Sequence, residues 1–515
     1  MKEFFKKTEN IIRKVISCRF LYYIAAILLF LGTYYLDLKT KVEGAGQLDG
    51  NHLKYFLIVA GVTGILVAIL TIFSKKLYQK LPAHIVYIIL ALLIGGIYIF
   101  VIPLCAQSDE PAHLYRAWQT AKGEIVAPLN EGEFKTELPK SLVDMIYVNS
   151  EGKLREYKKY YDIKEMAKIP LNEDETEMVN TVGNYHGVSY LPQIVGLKIG
   201  MLCKLTPYCT AMLGRITGLI ITVFLFAWGI YKLPKHKLFA TIILLCPVVL
   251  SYAASFSADN MTLASVFLLI SYVYYYMHTK EKIKKRHYIL FAILTFIIAV
   301  SKIAYIPIIG IFIFLQKECF ENNKRKWICA IGFIVLGFIT TIWWMRTAAI
   351  SATGGDPTNT NTWIYTNPIG YLIVLFRTTI SSAWDYVSNM FAGHYLCHNQ
   401  VNPYSIVPIA YIIIAVIAYF SDENTDKTTM YKKLISFGII ACSYVLISTA
   451  MYVYNTSFKS GTIMGVQGRY LVPLLFMLIF FANSKKWNVQ EHRLTNVALI
   501  TNYVVYLAMM TKFFI

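Results

Sequence analysis

Charge is scarce in this chain: 15% of its 515 residues are Asp, Glu, Lys or Arg, where a soluble domain carries roughly 25%. Hydrophobic residues make up 56%, and no segment is long and polar enough to build a soluble domain with its own core. Residues 1–515 therefore read as a single membrane-embedded domain decorated by loops. The nine cysteines show neither CxxC nor zinc-site spacing, which excludes a thioredoxin-like redox motif and a zinc module. Most lie in apolar runs, where a thiol behaves as a small hydrophobe; Cys203 and Cys209 could pair in an oxidising compartment but read better as free thiols. No small-residue cleavage site follows the apolar run from Phe20 to Leu36, which is also long for a signal peptide. The N-terminal MKEFFKKTENIIRK thus flanks an uncleaved first span. No internal repeat is visible, which weakens an inverted-repeat transporter.

What is abundant is positive charge, with 49 Lys and Arg against 30 Asp and Glu and a formal net charge of +19. These cations do not form a basic face, and no recognition motif accompanies them, so no nucleic-acid partner is expected. They sit in short clusters between apolar runs, the pattern of the positive-inside bias and of contact with anionic membrane lipids.

A membrane-crossing helix needs about 20 mostly apolar residues. The windows 18–36, 53–73, 84–105, 208–231, 237–254, 260–278, 326–346, 404–420, 433–454, 468–483 and 494–514 qualify. Residues 287–316 are apolar but interrupted at Ser301-Lys302 and Pro307, which predicts two short helices with a break at membrane depth, tolerated where it lines a protein cavity. Residues 188–205 carry Pro192, Gln193, Lys198 and Lys204. If 188–205 does not cross and 287–316 returns to its starting side, the clusters at Lys75-Lys76-Lys80, Lys232-Lys235-Lys237, Lys280–Arg286, Lys324–Lys326, Lys432-Lys433 and Lys485-Lys486 all fall on the cytoplasmic side with the N-terminus. The predicted fold is an all-α polytopic transmembrane bundle of roughly 11–14 helices. Two long extracytoplasmic loops, 106–207 and 347–403, are expected to carry short amphipathic helices.

The same parity brings three distant motifs to the extracytoplasmic face. SDEPAHLYRAWQTAKG (108–123) places Asp109, Glu110, His113 and Arg116 within two helical turns, with Glu110/His113 and His113/Arg116 at i, i+3. Ser108 or Asp109 could simply cap the helix that Pro111 begins. Alternatively, paired carboxylates at a membrane boundary act as a general base or hold a divalent cation, magnesium or manganese. GVQGRY (465–470) offers Gln467, Arg469 and Tyr470. Its guanidinium suits phosphate, its glycines permit close backbone approach, and the bland alternative is an arginine snorkelling to the headgroups. SFSADN (255–260) opens a span with Asp259, either a helix cap or a site residue. Lys302, Arg346 and Arg377 are further candidates, because cations at membrane depth are costly. His394 and His398 have i, i+4 spacing but lack the acidic residue of HExxH. Most aromatics suit interface anchoring, although some in 347–403 could stack on a sugar ring.

SDEPAH after an early span, YLPQ at 190–193, SADN opening a middle helix and QGRY near the end occur here in the order found in a bacterial multi-spanning family, domain-of-unknown-function family 2142, which the chain resembles from about Cys105 to Pro473. That family in turn resembles GT-C glycosyltransferases, which use polyprenyl-phosphate-linked sugars at the outer membrane face. The resemblance implies a GT-C-type fold and a bacterial plasma-membrane location. It also implies a catalytic carboxylate at Asp109 or Glu110, with Arg469 on the donor phosphate. The expected partners are a polyprenyl-phosphate-linked sugar and a cell-envelope glycan or lipid acceptor. His113, Arg116, Asp259, Lys302, Arg346, Gln467 and Tyr470 are expected to help bind substrate. The competing readings are a flippase for lipid-linked saccharides, which needs charges along a through-path, and a non-catalytic scaffold for envelope assembly.

Overall fold

The computed structural model describes residues 50–130, 133–147, 163–348, 355–391, 405–421, 429–481 and 489–514; the predicted first span at 18–36 lies outside them. Among the described residues, seven helices are long and apolar enough to cross a membrane, and four shorter apolar helices accompany them.

The first two, α1 (Gly50–Lys80) and α2 (Ala83–Val101), are separated by Pro82, whose extended backbone begins the second helix. The predicted loop from 106 to 207 then opens with α3 (Glu110–Lys122). It continues into β1 (Leu129–Asn130), β2 (Glu133–Pro139), α4 (Lys140–Tyr147), α5 (Ile163–Lys168) and β3 (Glu175–Val179). The three strands form one antiparallel sheet, with Thr136 opposite Met178. This sheet departs from the all-helical expectation for the loop. In β2, Phe134, Thr136 and Leu138 are buried and alternate with more exposed neighbours, the period-2 pattern of a strand.

Residues 188–205 form a 3-10 turn (Gly187–Tyr190) and α6 (Leu191–Leu202). At 12 residues, α6 is roughly 18 Å long, short of a hydrocarbon core of about 30 Å. It packs instead on α7 (Pro207–Lys232) through Gly196 and Gly200 facing Leu213 and Thr210. A Cβ on Gly196 would lie 2.2 Å from the Leu213 carbonyl oxygen. Small residues let the two backbones touch.

The window 237–254 is not one span, as predicted, but two short helices, α8 (Lys237–Leu244) and α9 (Pro247–Ala253). Pro247 has no N–H to continue the helix and disfavours helical backbone at the preceding residue; Cys246 is accordingly extended. Next come α10 (Asp259–Thr279), α11 (Lys285–Ser301) and α12 (Ile303–Phe314). The last two form a hairpin broken at Lys302 and closed at its foot by the Ile283 N–H donating to the Cys319 carbonyl at 3.1 Å. Lys302 meets Asp259, the first residue of α10, so the break lies level with that end of the helix.

The long α13 (Asn323–Thr347) leads into α14 (Pro357–Thr366), α15 (Pro368–Ser381) and α16 (Ala383–Phe391), three helices within the predicted second loop. The chain closes with α17 (Ile406–Tyr419), α18 (Met430–Asn455), α19 (Gly468–Phe480) and α20 (Glu491–Phe514). α20 packs along α1, where the Tyr503 hydroxyl donates to the Ala60 carbonyl at 2.9 Å.

Candidate functional site

The end of α2, the start of α3, the α9–α10 turn, the α11–α12 break and the α18–α19 connection converge at one end of the bundle, where they place two carboxylates and two cations together. Asp109 precedes α3 with a left-handed backbone (φ 62°, ψ 3°), and its side chain caps no helix N–H. Its Oδ2 instead accepts from Arg469 Nη2 at 3.0 Å, with about half of its side-chain surface exposed. Asp259 likewise caps nothing. Its Oδ1 pairs with Lys302 Nζ, and its Oδ2 lies 3.1 Å from Arg469 Nε, paired by charge but out of line for a hydrogen bond. The capping alternatives for both aspartates therefore do not hold.

Aromatic rings hold the cations in place. Lys302 Nζ sits 4.0 Å from the Tyr470 ring centroid. The Arg469 guanidinium lies 4.4 Å from the Tyr252 ring and 5.2 Å from the Tyr470 ring, and it also donates to the Tyr252 hydroxyl. Such stacking fixes a guanidinium without spending its in-plane donors. Tyr305 donates its hydroxyl to the Tyr470 carbonyl at 2.8 Å, tying the hairpin to α19. Beside the cluster is a narrow cleft whose walls include Val248, Leu263, Val472 and Pro473 together with Asp259 and Arg469.

His113 is buried on α3, with Nδ1 2.7 Å from the Tyr190 hydroxyl. Burial pushes its pKa down to about 4; Asp109 and Asp259 oppose that shift while Arg469 and Lys302 add to it. YLPQ thus supplies a buried tyrosine beside the acidic motif, and Gln193 of the same motif donates to the Ser257 carbonyl at 3.2 Å, next to SADN.

Three expectations are corrected. Glu110 does not share a site with Asp109. It is fully buried, its two oxygens accepting from Arg215 Nε at 2.7 Å and Nη2 at 2.6 Å, and Oε1 also from the Phe256 N–H at 3.0 Å. Arg116 does not face the cluster either. It is buried and its donors serve the carbonyls of Tyr185, Glu124 and Ile125 and the side chains of Gln119 and Thr120, so it shapes the loop after α3. The close approach allowed by Gly468 is to protein: a Cβ there would lie 2.4 Å from the Tyr386 carbonyl oxygen on α16.

A divalent cation on Asp109 and Glu110 does not fit this donor set. Glu110 is saturated, Asp109 and Asp259 already face a guanidinium and an ammonium, and among the described residues no three His, Cys, Asp or Glu side chains converge. Gln467 lies two residues before Arg469, half-buried, its Oε1 without a hydrogen-bond partner among the described residues. Arg346 and Arg377 are exposed on α13 and α15 and are not among the residues that meet in the cluster. His394 and His398 lie outside the described residues. Cys203 and Cys209 are free and exposed.

Sequence reasoning missed Arg215 and Tyr252. Arg215 carried a readable signal, a charge within an otherwise apolar window; Tyr252 is one of 38 tyrosines and carried none.

Fold and cluster together define a polytopic helical membrane protein whose charged side chains gather at one end of the bundle. The chain belongs to the family described as predicted membrane protein (DUF2142), which matches residues 92–478 and so brackets every residue of the cluster. No curated protein and no solved structure matches it.

Proposed function

We propose that this protein is an inverting glycosyltransferase of the bacterial plasma membrane, moving a sugar from a polyprenyl-phosphate donor to a cell-envelope glycan or glycolipid on the extracytoplasmic side. The observation that carries the reading is an accessible carboxylate, Asp109, paired with Arg469 and linked through Arg469 and Asp259 to a second cation, Lys302, with both cations against aromatic rings beside a largely apolar cleft. Asp109 takes the proton from an acceptor hydroxyl, whose oxygen attacks the anomeric carbon as the bond to the phosphate oxygen breaks. The electron pair leaves with the polyprenyl phosphate, and Arg469 and Lys302 offset the charge it gains. Asp259 holds the two cations at a fixed separation. No divalent cation enters the scheme, since two fixed cations already stand where charge develops.

A flippase would need charged groups along a path through the bundle. Further along α10 and α12, Val266, Phe267, Ile308 and Phe312 are buried and apolar, and the buried polar residues Ser265 and Ser271 carry no charge, which supports a one-sided site. The test is Asp109→Asn in cells lacking the native copy, with envelope glycan as the readout. Transfer is expected to fall at least about 100-fold; wild-type glycan would remove the assignment.

A further inference from the structure

One guanidinium closes the turn that presents Asp109. Arg215, fully buried on α7, donates Nη1 to the Ile102 carbonyl at 2.7 Å and Nη2 to the Pro103 carbonyl at 3.0 Å, where α2 ends. Its Nε and Nη2 also clasp the Glu110 carboxylate, where α3 starts. The segment between Ile102 and Glu110 thus begins and ends on the same side chain. Inside it, Asp109 adopts a left-handed backbone that L-residues other than Asn and Asp seldom tolerate. Glu110 reaches a second element too, because its Oε1 accepts the Phe256 N–H three residues before Asp259.

We infer that the Glu110–Arg215 pair is the positioning element of the site, holding Asp109 in its left-handed turn and thereby against Arg469. A bidentate pair fixes orientation as well as distance, and its full burial protects it from solvent and salt. Without it, the residue preceding α3 relaxes toward ordinary backbone and the Asp109 carboxylate leaves the guanidinium. Arg469 then becomes a freer anion site, while the base is no longer where an acceptor hydroxyl would need it. The inference rests on the transferase reading only in taking Arg469 as the group that receives a phosphate.

The opposite signs of these two effects make the test. Farnesyl phosphate is titrated calorimetrically into the full-length protein in lipid nanodiscs. Asp109→Asn removes a half-exposed ion-pair partner from Arg469 and is expected to tighten binding about 2- to 5-fold. Glu110→Asp, which retracts the carboxylate by one methylene, and the neutral pair Glu110→Gln/Arg215→Met should reproduce that gain. Adding Asp109→Asn to Glu110→Asp should yield nothing further. A merely structural role predicts weaker binding, in step with lost folded protein. Binding equal to or weaker than wild type in Glu110→Asp, beside tighter binding in Asp109→Asn, would overturn the inference and leave the transferase reading standing. Wild-type binding in Arg469→Gln would instead sink the phosphate role of Arg469. Should the double variant fail to fold, Glu110→Asp decides.

Discussion

Arg469 and Asp109 are 360 positions apart in the chain and meet at 3.0 Å. The contact belongs to a closed set, because Arg469 also faces Asp259, and Asp259 faces Lys302. Two negative and two positive side chains therefore neutralise one another, and on the proposed function an incoming phosphate exchanges partners with a carboxylate.

Arg469→Lys should not be conservative. A compact ammonium lacks the planar fork by which Arg469 reaches Asp109, Asp259 and the Tyr252 hydroxyl from separate nitrogens. Envelope glycan made per folded molecule is expected to drop roughly 10- to 100-fold in Arg469→Lys and further in Arg469→Gln, an effect of about 1.5–3 kcal/mol for a charge-assisted hydrogen bond.

Acidification should destabilise the protein through its buried histidines. His113 has a folded pKa of about 4 against an ordinary value of 6.5, set first by burial, and His186 is likewise pushed down to about 4, first by burial and then by Arg116. Between those values the unfolded chain binds more protons, so stability is present above pH 6.5, declines as pH falls toward 4 and levels off below. The decline attributable to His113 is on the order of 3 kcal/mol. Melting curves across this range should show a shallower slope in His113→Gln. An unchanged slope would mean that His113 does not stay neutral.

Arg116→Gln should loosen the loop after α3 without touching the charged cluster. The substitution strands the carbonyls of Glu124 and Ile125, at a cost of about 2–3 kcal/mol. The expected readouts are a lower melting temperature and faster proteolysis near residues 124–126. Farnesyl phosphate binding per folded molecule should stay at the wild-type level.

Chelation should leave transfer unchanged. With Glu110 spent on Arg215 and both aspartates facing cations, EDTA-treated membranes are expected to retain full activity. Recovery dependent on magnesium or manganese would show that the donor set rearranges when substrate binds.

Much of the bundle was legible because hydrophobic length is a local property. The windows 53–73, 208–231, 260–278, 326–346 and 433–454 each correspond to one long helix. The window 237–254 failed because a hydropathy sum is blind to what Pro247 does to Cys246. The sheet in the first loop failed because a mixture of charges was read as amphipathic helix while the alternation of Phe134, Thr136 and Leu138 went unweighed. The site was legible as a set of motifs but not as a set of contacts. Asp109 and Glu110 are adjacent and chemically alike, yet one is half-exposed against Arg469 and the other is fully buried against Arg215. That division depends on the left-handed turn and on Arg215, neither of which leaves a mark within the motif itself. Lys302 was recognisable from the broken apolar run and Asp259 from SADN, whereas their pairing required the hairpin geometry.

The connection that delivers Arg469 follows α18 and so is made after the elements that carry Asp109, Glu110, Arg215, Asp259 and Lys302. Most of the long helices, with the Glu110–Arg215 clasp and the Asp259–Lys302 pair, can be in place before the arginine arrives. A nascent chain that stops before α19 therefore carries the carboxylates and Lys302 but not Arg469, and on the proposed function it lacks one of the two cations that would offset the leaving phosphate.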